Sequence, residues 1–285
     1  MFWGQIKTVL LLAALSSLFL LLGFWFGGET GMFMALLFAI LFNFLTYFYS
    51  DKIILKLYGA KPLDENEYDY VYDIVAHLSR NANIPMPKLW YIDTDMANAF
   101  ATGRNPAHAS VAVTRGLLEI LDERELRGVL AHELSHVKNR DILIATIAAT
   151  VAAAISYLSD IARWSLIFAT SNKDRKGNGI GAIVAILFVP FIALLLQLAI
   201  SRSREYLADE SGARISRDPE ALADALEKLH YQAARQKFVP SGQAQATTSS
   251  LFIVFPFSSK GVLSLFSTHP PIEKRIERLR NMNVY

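Results

Sequence analysis

Four uncharged apolar runs constrain this chain more than anything else in it: Val9–Phe26, Met32–Tyr49, Ile142–Leu158 and Ile180–Ile200. A helix needs roughly 17–25 apolar residues to cross the hydrocarbon core of a bilayer, and each run is that long or nearly so. Composition agrees, because 53% of the 285 residues are hydrophobic, too many for an ordinary soluble domain. The first run lacks a small-residue cleavage site, and "FGGETG" leads straight from it into the second. The pair therefore reads as a hairpin of two spans and not as a signal peptide. Asp160 and Arg163 follow the third run closely, which leaves it open to being short, tilted or re-entrant. Pro190 is expected to kink the fourth, a kink that neighbouring helices accommodate.

Basic residues orient these spans. Lys7, Lys52, Lys56, Lys138, Arg140, Arg202 and Arg204 flank them on one side, which places both termini and the segments 50–141 and 201–285 in the cytoplasm. Lys173, Arg175 and Lys176, in the loop between the third and fourth runs, point the other way. The expected organisation is a hairpin of spans over 1–50, a cytoplasmic part over 51–141, two further spans over 142–200 and a second cytoplasmic part over 201–285. A net charge of only +2 gives no reason to expect a nucleic-acid partner. The chain has no cysteine, so any metal must be held by histidines and carboxylates.

The polar segments carry ordinary start and stop signals. "DENEYDYVYDIVAHLSRNANI" reads as an amphipathic helix, acidic at its start and ending near Asn-Ala-Asn. "PKLWYIDT" and "SVAVT" read as strands, with a further short strand and a turn around Gly103–Pro106 between them. "RGLLEILDERELRGVLAHELSHVKNRD" is helical with an interruption near Asp122. "SRSREYLADESGARIS" is a helix, and "DPEALADALEKLHYQAARQ" starts another with Asp218 as N-cap and Pro219 at the first helical position. "SGQAQATTSS" reads as a flexible polar loop, and "PPIEKRIERLRNM" closes the chain as a helix.

Chemistry concentrates at His132-Glu133-Leu134-Ser135-His136. With six histidines in the chain, chance produces H-E-x-x-H roughly 0.6% of the time. On a helix, positions four apart project from one face, so two imidazoles can meet one zinc ion. Glu133 stands beside the first ligand, where it can take a proton from water that the metal activates. The competing reading is an exposed helix face with incidental histidines. A catalytic zinc needs a third protein ligand, and no third histidine follows at the spacing of the longer H-E-x-x-H-x-x-G-x-x-H motif. A downstream carboxylate is expected instead. "SRSREYLADESGA" offers Glu205 as that ligand, with Asp209 one turn on to accept the outer N–H of a ligand histidine. Against this stands a plain exposed face on which Glu205 pairs with Arg202 or Arg204. Two apolar runs separate His136 from Glu205, so the chain can leave and return, and both motifs emerge on one membrane face.

The blocks "NAFATG", "LAHELSHVKNRD", "SREYLADESGA" and "STHPPIEKRI", in that order around the apolar runs, resemble the HtpX family of membrane-embedded zinc endopeptidases, relatives of the CAAX prenyl proteases. The resemblance implies an integral membrane protein, mostly helical, with four transmembrane helices and a cytoplasmic zincin-like α+β protease domain holding a small sheet. It implies one zinc ion per chain on His132, His136 and Glu205, with Glu133 as general base and Asp209 behind a ligand histidine. The function it implies is ATP-independent degradation of damaged or misassembled membrane proteins, as stress response and quality control at the bacterial inner membrane. The partners are then protein or peptide substrates and the lipid bilayer.

The remaining candidates each carry two readings. Asn98, in "NAFATG", either belongs to an edge where an extended substrate adds as a strand or is a strand-end turn residue. His269, in "STHPP", either donates to the oxyanion or makes a structural polar contact, and Arg275 does the same or anchors its loop. His77 and His230 are read as surface residues, and His108 as a loop residue outside the metal site. "LFIVFPF", Leu251–Phe257, is a buried strand by default, or else a flap or an interface anchor. Two rival functions stand beside the leading one. They are a processing protease for one peptide or prenylated substrate, and a non-catalytic membrane scaffold, which the intact Glu133 argues against.

Overall fold

The computed structural model describes residues 2–151, 202–235, 253 and 270–283. The fourth apolar run, the third run beyond residue 151, the loop 172–178, His269 and all of Leu251–Phe257 except Ile253 lie outside the described residues.

The chain opens with α1, Phe2–Leu57, broken at Gly28 by a backbone with φ 56° and ψ −143°. Glycine reaches that left-handed region without a Cβ penalty, and the two arms fold back on each other there. Phe19 meets the rings of Phe38 and Phe42 at 5.1 and 5.6 Å. Asn43 donates to Ser16 Oγ at 2.8 Å between the arms. The second arm, Gly27–Leu57, runs 31 residues, about 46 Å at 1.5 Å each and so longer than a bilayer core of ~30 Å. Among the described residues it is the one helix long and apolar enough to cross a membrane. Leu12–Trp25 and Ile142–Val151 are shorter apolar helices. Phe33, Leu37, Ile40, Leu41 and Phe44 are exposed along the second arm, a continuous apolar surface of the kind that faces lipid or a partner.

Beyond the hairpin come β1 (Lys61–Pro62), α2 (Asp69–Ala82), β2 (Lys88–Ile92), β3 (Ala99–Gly103) and β4 (Ala109–Thr114). Helices α3 (Arg115–Ile120) and α4 (Glu123–Asn139) follow. Then come α5 (Ile142–Val151), α6 (Arg202–Ser216), α7 (Pro219–Arg235) and α8 (Ile272–Arg280). Helix α2 starts five residues later than its acidic lead-in suggests, because the Asp64 carboxylate accepts the N–H of Asn66 and holds a turn there. It ends on Asn83 in the left-handed conformation. The interruption at Asp122 is a full helix boundary. Asp122 accepts from the Glu125 N–H at 2.9 Å and Glu125 returns the bond at 3.0 Å, a reciprocal cap that starts α4 afresh. Asp218 caps α7 through the Ala221 N–H at 3.0 Å.

The sheet runs β1-β2-β4-β3, with β2 parallel to β4 and the outer strands antiparallel. Strand residues alternate between its faces. Ala99, Ala101, Val111 and Val113 join the main core with Val75 and Leu78 of α2, Leu130 and Leu134 of α4, and Leu222 and Leu226 of α7. Phe100 and Ala112 face Ile54 and Leu55, at the end of the hairpin, and Ala149 of α5. The sheet is thus pressed between helices α2, α4 and α7 on one face and the base of the apolar hairpin on the other. All five residues of β3 are buried although it is the last strand.

Candidate metal centre

Helix α4 carries His132 and His136 on one face, with their Nε2 atoms 3.2 Å apart and their rings edge to face. Glu205, from α6, brings Oε2 within 3.8 Å of His132 Nε2 and Oε1 within 3.8 Å of His136 Nε2. One ligand atom from each of the three lies within 4.8 Å of the others. A tetrahedral zinc with bonds of about 2.0–2.1 Å separates its ligand atoms by about 3.3–3.4 Å, so the cluster fits such an ion with little adjustment. Two bare imidazole lone pairs at 3.2 Å would repel, so the gap between them suits a positive charge, either a shared proton or a metal.

Close packing of α6 on α4 makes this approach possible. A Cβ built on Gly212 would lie 2.9 Å from His132 N and Cα, so only glycine lets α6 cross the metal helix at that point. Ser135, inside the H-E-x-x-H motif, ties the pair together by donating to Ala208 O at 3.0 Å.

Each histidine has a carboxylate behind it. His132 Nδ1 lies 3.0 Å from Asp209 Oδ1. Asp209 in turn receives Arg275 Nε and Nη2 at 2.8 and 2.7 Å, a two-pronged pair in which the arginine is fully buried. His136 Nδ1 lies 3.1 Å from both oxygens of Asp141. Sequence reasoning missed Asp141. Arg140, in the left-handed conformation, stops α4, and the Asp141 N–H returns to His136 O at 3.3 Å. That helix stop swings the next carboxylate back onto the ring. An aspartate directly after a helix end, five residues beyond the second histidine, is the signal that was there to find.

Charges are buried here, and their neighbours decide their protonation. Burial pushes the Glu133 carboxyl up to about 8, against the opposing pull of His136. Burial works against a charge on His136, yet Asp141, with help from Glu205 and Glu133, raises it to about 10. Burial lowers His132, and Asp209 offsets that only in part. For Asp209, burial is outweighed by Arg275 and His132, which hold it below the ordinary carboxylate range. Glu133 sits 4% exposed beside the cluster and accepts the Ala101 N–H at 2.9 Å.

Asn98 and Arg275 are joined through Ile253, with Arg275 Nη1 also 3.7 Å from Glu205 Oε2. Asn98 is buried at the foot of β3, where its backbone and Thr114 exchange hydrogen bonds at 2.8 and 3.0 Å. Its Oδ1 accepts from Ile253 N at 3.2 Å, and Arg275 Nη1 donates to Ile253 O at 3.0 Å. The two residues thus hold the backbone N–H and C=O of one residue of the chain itself. His77, His108 and His230 are exposed and outside the cluster.

The profile of peptidase family M48 matches residues 65–283. A protease HtpX homolog of Desulforapulum autotrophicum is 52% identical over 281 residues, covering 98% of this chain and 90% of the relative. A protease HtpX homolog of Thermococcus kodakarensis is 50% identical over 279 residues, covering 97% and 95%. Among solved structures, the crystal structure of S. mikatae Ste24p superposes with a TM-score of 0.52 at 19% identity, so the two share a fold. The match covers 96% of this chain and 65% of that longer one.

Proposed function

Because this chain belongs to peptidase family M48 and is a membrane-associated metallopeptidase, we propose that it holds one zinc ion and cleaves membrane proteins from the cytoplasmic side. The observation that carries this reading is the convergence of His132, His136 and Glu205 beside a buried Glu133. When bound, zinc polarises the scissile carbonyl and makes the attacking water more acidic. Glu133 takes that water's proton and delivers it to the leaving amine as the new C–O bond forms and the C–N bond breaks. Asp209 and Asp141 hold the outer ring nitrogens, so that both Nε2 atoms face the ion. Of the two roles open to Arg275, its bonds to Asp209 and Ile253 support the anchor. His269 is the candidate donor to the oxyanion, and Asn98, through the segment at Ile253, borders the path of substrate.

The proposed architecture keeps four spans, two within 1–50 and two within 142–200, with cytoplasmic parts over 51–141 and 201–285. His136 and Glu205 lie within bonding reach of one ion, so the chain between them crosses the membrane an even number of times. Accessibility labelling should find residues 100, 140 and 230 on the cytoplasmic side and the loop 172–178 opposite. A cytoplasmic loop would remove the last two spans and leave the metal site intact.

Quality control is the proposed role, and cleavage of many membrane proteins is its signature. The test compares membrane proteomes and casein hydrolysis for wild type and Glu133→Ala, with and without zinc. General-base loss should lower the rate about 10²–10⁴-fold while zinc stays bound. Equal hydrolysis by the two proteins would refute the mechanism. Accumulation of a single protein in the mutant would favour a dedicated processing protease.

A further inference from the structure

The general base is held by a strand and not only by the helix that bears it. Strand β3 pairs with β4, and Thr114 N donates to Asn98 O at 3.0 Å. In an antiparallel ladder alternate residues face the partner strand, so Asn98, Phe100 and Thr102 point toward β4. Ala99, Ala101 and Gly103 then present their backbone groups to the open side of the sheet. Two of those groups have specific side-chain partners. Gly103 N donates to Thr146 Oγ1 at 3.4 Å, and Thr146 Oγ1 also lies 3.0 Å from Thr102 Oγ1. Ala101 N donates to Glu133 Oε2 at 2.9 Å, the one hydrogen bond the Glu133 carboxylate makes among the described residues.

From this we infer that the Ala101 backbone N–H is the positioning group of the general base, tying Oε2 so that Oε1 is left to meet the proton of the attacking water. The inference rests on the reading of Glu133 as that base. A glutamate side chain turns about three bonds, and inside a buried site without a tether its carboxylate has several ways to settle. An error of ~1 Å in such a group can cost about 10²-fold in rate. The tether is itself immobilised from two sides. One is the ladder to β4, and the other is Thr146, from the apolar helix that follows the metal helix. The base is thereby placed relative to the sheet as well as to its ligand-bearing neighbours on α4. Nothing in this arrangement requires Ala101 to touch substrate or metal, so its effect falls on turnover and not on binding.

The test deletes the donor alone. Replacing Ala101 by lactic acid converts its amide to an ester and keeps the side chain. Ala101→Pro removes the same N–H at an edge position where no ladder bond is lost, and Ala101→Gly keeps the N–H as the control. The readouts are kcat and KM on a fluorogenic peptide and zinc affinity by chelator competition, all on the full-length protein in detergent. The ester should lower kcat about 10–100-fold while KM and zinc affinity stay within about twofold and the glycine control stays near wild type. Wild-type kcat in the ester variant would overturn the inference. Should both replacements fold poorly, amide hydrogen exchange at Ala101 decides. Protection should be lost in Glu133→Ala and kept in Glu133→Gln, and equal protection in all three proteins would also overturn it. Glu133→Ala separates the two levels of the argument. Near-wild-type turnover in that mutant would sink the base reading itself, whereas a Glu133→Ala slowed about 10²–10⁴-fold beside a fully active ester would sink only the tether.

Discussion

Asp141→Asn is the substitution that most directly tests how the metal site works, because it should change the pH dependence of zinc binding. In the wild type His136 Nδ1 lies 3.1 Å from both Asp141 oxygens. That carboxylate is the largest influence raising the imidazole, whose pKa reaches about 10 before metal binds. A group raised this far is protonated at pH 7, and zinc must displace the proton. Apparent affinity should therefore climb about tenfold per pH unit from pH 6 to 9, as expected when binding releases one proton. Asparagine keeps an acceptor of similar shape and removes the charge. His136 should then fall toward its ordinary value near 6.5, so that above about pH 7 the affinity should level off. The lost carboxylate also makes the ring a weaker ligand, by about 10–100-fold in intrinsic affinity. The two effects oppose each other. At pH 7 the proton costs the wild type about 1,000-fold, more than the variant loses as a weaker ligand, so the variant should bind zinc more tightly there. By pH 9 it should be equal to or up to about tenfold weaker than the wild type. Chelator-buffered zinc titrations of detergent-solubilised protein across pH 6–9 measure both. An unchanged slope in Asp141→Asn would refute the assignment of Asp141 to His136.

Three further substitutions probe the same neighbourhood. Glu205→Ala should abolish stoichiometric zinc binding along with activity, and a variant that keeps wild-type zinc affinity would remove Glu205 from the ligand set. Gly212→Ala drives a Cβ to 2.9 Å from His132 N and Cα. Overpacking of that kind should cost about 1–3 kcal/mol and weaken zinc binding, measured as a lower melting temperature and a raised Kd. An unchanged melting temperature would mean that α6 can move away without cost. Arg275→Met strands the buried Asp209 carboxylate and should destabilise the fold by about 3–5 kcal/mol. Adding Asp209→Asn should recover much of that loss in a thermal melt, and simple additivity of the two would argue against the pair.

Much of this molecule is local enough to be read from the chain itself. The spacing of His132 and His136, the break at Asp122, the cap at Asp218 and the strands flanking "NAFATG" each depend on neighbours within a few residues. Helical and strand periodicities carry that information directly. The apolar hairpin is equally local, since its turn at Gly28 lies between two runs whose composition already excludes water. Glu205 needed one chemical step more, the demand of a catalytic metal for a third ligand. Asp209 is legible too, one turn beyond Glu205, but tertiary structure alone decided what restrains Asp209 and Glu133 in turn. Asp209 and Arg275 stand 66 positions apart and make a buried pair. Glu133 takes its hydrogen bond from a strand 32 residues earlier. Such contacts follow from how α6 lies against α4 and α8 and how α4 lies against the edge of the sheet, and no periodicity encodes them. Asp141 marks the boundary between the two kinds of information: it is five residues from His136, yet its carboxylate reaches the ring only because Arg140 takes a left-handed conformation that ends the helix and turns the chain back.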